Sequence, residues 1–175
     1  MAGPQIYAFS IVMPPRRLIG LHRHEFHEVF YCAAGTGTQW REDVELPMRA
    51  GDLFLFPAGV RHAGVGDPGN DCLGIVCYVH DRAFAEVSEG DADGAAILAA
   101  LCRHAQTGDA RVPLSPPGRR LVDGILRRLG EEARGRAIGY RCALKLLFTE
   151  FLLVLLRDPA TAGFMHARSE EHTSE

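Results

Sequence analysis

The 175-residue sequence predicts a mainly β domain followed by C-terminal helices. Three observations carry this expectation. Short β-rich segments separated by Gly, Pro, Asp and Asn run from residue 5 to about residue 80. Beyond that point alanine, leucine and arginine recur at helical spacing. The most polar stretch of the first half, LHRHEFHEVFYCAAG at 21–35, places three histidines and two glutamates within residues 21–28 and then runs straight into an apolar strand.

In order along the chain, the expected strands are QIYAFSIV, HEVFYCA, DLFLFP and CLGIVCYV, parted by PP, GTG, AG and GDPGN. Such spacing fits an antiparallel sandwich or barrel over residues 1–80 rather than a parallel sheet with crossover helices. Residues 81–158 read as a helical linker and dimerisation segment. It begins with GAAILAALCRHA and, after the loop TGDARVPLSPPG, continues in two longer helices. In the first of these Ser115 is the expected N-cap with Pro116 in the first turn, and Leu121, Ile125, Leu126 and Leu129 form an apolar face. Gly135 and Gly139 punctuate the chain before a last helix at about Ile138–Arg157. Between Leu144 and Leu156 that helix has only Lys145, Thr149 and Glu150 as polar residues, so it must be covered on more than one side. A second copy of the chain is the expected cover, with Leu144, Phe148, Phe151 and Leu155 as dimerisation residues.

Composition narrows the function. Nineteen Lys+Arg against 22 Asp+Glu give a formal net charge of -3, the wrong sign for a surface that holds a polyphosphate backbone. Cys32, Cys72, Cys77, Cys102 and Cys142 are scattered and contain no CxxC pair, so neither a disulfide framework nor a cysteine zinc site is expected, and a reducing cytoplasm is the expected location. The apolar run FLLVLL is too short to cross a bilayer, and no membrane association is expected.

With a strand's period of two, His22, His24, Phe26, Glu28 and Phe30 fall on one face, and Arg23, Glu25, His27, Val29 and Tyr31 on the other, unless a turn intervenes between His24 and Glu28. The even face mixes imidazoles and a carboxylate with aromatic rings, as the inside of a barrel with a functional floor would. Burying Glu28 requires a cationic or hydrogen-bonding partner, and a divalent metal would suit. GDLFLFPAGVRH adds Gly51, Pro57, Gly59 and His62. His27 reads as a surface residue, His80 and His104 as isolated, and Trp40 and the phenylalanines as core or pocket-mouth residues.

The spacings H-x-H-x3-E-x6-G and G-x5-P-x-G-x2-H resemble the two signature motifs of the cupin superfamily, although Arg16 stands where a glycine is expected before the first histidine. The resemblance implies a double-stranded β-helix, or jelly-roll barrel, in which His22, His24, Glu28 and His62 could bind one metal: Zn, Fe, Mn, Ni or Cu by donor chemistry. Phe26 and Trp40 join these four as expected ligand-binding residues. The same imidazoles could instead serve, without metal, as hydrogen-bond donors to a ligand. Together with NDCLGIVCYVHDRAF and the helices ending LLFTEFLLVLLRD, the pattern is similar to the N-terminal sensing and dimerisation domain of AraC-type transcription regulators, most of all the rhamnose-responsive branch.

That resemblance implies a small effector, often a sugar, bound in the barrel, a homodimer formed through the helices, and DNA contact only through a C-terminal domain. Residues 159–175 read as a tail, and RSEEHTSE at 168–175 coincides with the in-frame translation of a sequencing adapter, so the chain is expected to be truncated before its helix-turn-helix domain. The competing expectation is a metal-dependent small cupin enzyme, a dioxygenase or isomerase, using the same four residues. No catalytic residue beyond those four is expected.

Overall fold

A computed structural model describes residues 5–13, 15, 19–83, 99, 102–103 and 110–162. Among the described residues nine strands form two antiparallel sheets: β1 (Ile6–Met13), β2 (Ile19–His22), β3 (His27–Ala34), β4 (Thr36–Arg41), β5 (Val44–Arg49), β6 (Leu53–Phe56), β7 (His62–Gly66), β8 (Cys72–Val79) and β9 (Arg111–Val112). One sheet has the order β1-β8-β3-β6-β9 and the other β2-β7-β4-β5. Two helices follow, α1 (Pro116–Gly135) and α2 (Tyr140–Arg157).

The near-continuous apolar runs of β3 and β6 have a simple cause, because the five-stranded sheet is buried on both faces. Phe30, Phe54, Phe56 and Val76 point inward and pack with Leu46 and Met48 of the opposite sheet. Val29, Leu53, Leu55 and Cys77 point outward and pack with Val122, Leu126, Phe148 and Phe151 of the helices. Alternate residues of the same strands therefore serve two separate cores.

The sheet does not end near residue 80 as expected. Arg111 and Val112 pair with Phe54 and Leu53, which adds β9 from within the stretch read as helical. Ser115 caps α1 as expected, its Oγ accepting from the Gly118 amide at 3.1 Å. Leu121 is corrected: it is 56% exposed, and Val122 takes its place in the buried face with Ile125, Leu126 and Leu129. The expected helix at 94–105 lies, apart from residues 99, 102 and 103, outside the described residues, as do His104 and the 168–175 tail.

Leu144, Phe148, Phe151 and Leu155, the expected dimerisation residues, are buried in the single chain, between α1 and the outer face of the five-stranded sheet. The second cover that α2 requires is supplied largely by α1. Leu146, 66% exposed, and Leu121 are the large apolar side chains that the helices leave in solvent. No helix among the described residues is long and apolar enough to cross a membrane.

Candidate metal centre

His22, His24, Glu28 and His62 converge, with one ligand atom from each lying within 4.8 Å of those of the others. Sheet pairing brings in the distant member, since His22 at the end of β2 is the cross-strand partner of His62 at the start of β7. The segment is not one continuous strand. The chain leaves the four-stranded sheet after His22 and enters the five-stranded sheet at His27, and His24 sits on the crossing. Gly59 fixes this crossing from the other side: its amide donates to the His24 carbonyl at 2.9 Å. Its φ of 81° lies in the left-handed region, which explains the glycine.

The imidazoles are oriented by their own neighbours. Nδ1 of His22 lies 2.8 Å from the Gly20 carbonyl oxygen, Nδ1 of His24 2.7 Å from that of Phe26, and Nδ1 of His62 3.0 Å from that of Val60. A carbonyl only accepts, so each Nδ1 carries a proton and each Nε2 is left for the site. Nε2 of His24 and of His62 both stand 3.1 Å from Glu28 Oε2. Each of these two rings thus faces an acceptor on both sides, and a neutral imidazole is one proton short of satisfying them. A cation between the Nε2 atoms and the carboxylate resolves the shortage, and the donor set of three imidazoles and one carboxylate suits a divalent transition metal. The four residues fit such an ion.

Burial alone would push Glu28 up, but hydrogen bonds and charge from His24 and His62 bring its pKa down to about 2. For His62 burial opposes protonation, yet Glu28 outweighs it and the pKa lies above the ordinary value. Aromatic plates hold two of the rings: Phe26 stacks on His24 at 4.0 Å between centroids, and Phe56 on His62 at 4.4 Å.

Beside the four residues lies a cavity of about 80 Å³, lined by Ile11, Met13, Phe30, Val76, Gln39 and Tyr78 among others. A larger cleft of about 400 Å³ lies outside the barrel, between β1 and the helices, and holds none of the four. Phe26 backs His24 without lining the cavity. Trp40 is corrected as a lining residue: on β4 it alternates with buried Gln39, which faces the cavity in its place.

The sequence reading missed Gln39 and Tyr78. Tyr78 could have been found from sheet register alone, because it is the cross-strand partner of Glu28. His27 is not a surface residue; its side chain is 14% exposed, with Nε2 2.7 Å from Asp81 Oδ1. His80 meets the edge of the Phe26 ring at 5.6 Å.

Residues 9–71 match the cupin domain family model. The barrel is a cupin fold. Similar solved structures include a predicted oxalate decarboxylase from Thermotoga maritima, with 24% identity and TM-score 0.39, covering 41% of this chain and 63% of that one. Another is the dimethylsulfoniopropionate (DMSP) lyase from Ruegeria pomeroyi, with 21% identity and TM-score 0.42, covering 45% and 40%. A third is a polyketide cyclase from Streptomyces resistomycificus, with 20% identity and TM-score 0.41, covering 44% and 56%. The match spans less than two thirds of each of these structures. No curated protein matches the chain.

Proposed function

We propose that this cupin is the effector-sensing and associating portion of an AraC-type transcription regulator, with a metal held by His22, His24, Glu28 and His62. The observation that carries the reading is the double use of the five-stranded sheet. Glu28, Phe30, Val76 and Tyr78 face the cavity, while Val29, Tyr31, Cys77 and Val79 on the same strands pack against the helices. A ligand that displaces β3 or β8 therefore presses on α1 and α2. It shifts their arrangement only as far as its affinity differs between the two arrangements.

A divalent ion held by the four residues supplies Lewis acidity toward an oxygen of a bound ligand. The chain's own residues do the rest. Three backbone carbonyls hold the imidazoles in one tautomer, and Phe26 and Phe56 fix two ring planes. Phe30 and Val76 give the cavity an apolar wall. With a net charge of -3, DNA contact belongs to a further domain joined to this one.

Amide hydrogen exchange tests the coupling. Removing the metal with a chelator should speed exchange in α1 and α2 as well as around the four ligands. Helices whose exchange stays unchanged would defeat the sensor reading. The convergence of a complete donor set on a cavity favours a second reading, a metal-dependent cupin enzyme. Metal-dependent turnover of a small oxygenated substrate, lost in Glu28→Gln, would establish it.

A further inference from the structure

The cavity beside the four ligands is small, and its polarity is unevenly distributed. Its volume is about 80 Å³. An apolar cavity of about 150 Å³ accommodates benzene, so on the same scale this one has room for an apolar tail of about three carbons. Ile11, Met13, Phe30, Ala63 and Val76 make its walls apolar.

Among the described residues that line it, the side chains outside the ligand set that offer hydrogen bonds are Gln39 and Tyr78. Gln39 is 3% exposed and lines the cavity from β4. Its Oε1 stands over Gly64, where a Cβ would approach to 2.8 Å, so the glycine leaves the amide its place at the wall. Tyr78 lines the cavity from β8, directly across the sheet from Glu28. The amide and the hydroxyl can each hydrogen-bond a polar group placed in the cavity.

Charge supplies the other half of the argument. Three neutral imidazoles and one carboxylate around a divalent ion leave one net positive charge at a half-buried site, which a single anionic group neutralises. We infer that the cavity takes a short-chain carboxylate, its acidic end at the four ligands and within reach of Gln39 and Tyr78, its apolar tail among Ile11, Phe30 and Val76. This rests on the reading of His22, His24, Glu28 and His62 as a metal centre. A pyranose fits poorly on two counts: it is larger than the space, and most of its hydroxyls would be buried without partners.

Calorimetric titration of the metal-loaded full chain with isobutyrate and with L-rhamnose tests the inference, alongside metal analysis of the same sample. Isobutyrate should bind and L-rhamnose should not. Gln39→Leu and Tyr78→Phe should each weaken isobutyrate about tenfold, with metal content and melting temperature held. L-Rhamnose binding as tightly as isobutyrate overturns the carboxylate assignment while leaving the metal centre in place. So does isobutyrate failing to bind fully metallated protein, or binding equally well to both variants. A chain that retains no metal and binds neither compound overturns both readings.

Discussion

Glu28 is the residue on which the site turns, because its Oε2 is the shared partner of two imidazoles and its strand neighbour across the sheet is Tyr78. Glu28→Gln keeps the volume and removes the negative charge. It should lower metal affinity by at least about a hundredfold, as read by chelator competition, with the far-UV circular dichroism spectrum unchanged. His22, His24, Glu28 and His62 were legible in the sequence because a donor pattern within seven residues and a glycine-marked turn before His62 survive without knowledge of register. Gln39 and Tyr78 were not legible, and Trp40 was misassigned, because which face of a strand meets the cavity depends on pairings such as Gln39 with Gly64 and Leu46.

At the scale of elements, one carboxylate ties the two helices together. Asp158 ends α2, and its oxygens accept from the Ser115 amide at 3.1 and 3.2 Å, from Ser115 Oγ at 2.5 Å and from the Ala160 amide at 2.9 Å. Burial alone would raise its pKa, but the Ser115 hydrogen bonds outweigh that and hold it below the ordinary carboxylate range. A depressed folded pKa contributes stability above the unfolded value near ~3.9, and that contribution disappears as pH falls through the folded value. Asp158→Asn should therefore cost about 2 kcal/mol at pH 7, and the gap to wild type should close in strong acid, by denaturant melts at both pH values. Ser115→Ala should cost about 1 kcal/mol through the cap alone. The cap was legible from Ser-Pro-Pro-Gly; the partner 43 residues away was not, since nothing in the local sequence announces it.

For the molecule as a whole, the existence of α2 and its need for cover were legible from its apolar run, but the direction of that cover was not. The monomer hides Phe148 and Phe151 and leaves Leu121 and Leu146 in solvent. If two chains associate through the helices, Leu146→Lys should dissociate them in sedimentation velocity while leaving the melting temperature nearly unchanged. Phe151→Ala should instead destabilise the fold by about 3–5 kcal/mol through an internal cavity. The placement of the four metal-site residues along the chain has a separate thermodynamic result. Three of them lie within residues 22–28, so a denatured polypeptide still carries three donors close together along the chain. Only His62 must be delivered by β7. An ion that grips both the folded and the denatured ensemble raises the melting point by less than its affinity suggests. His62→Ala should erase that increase altogether while a weak, fold-independent affinity persists.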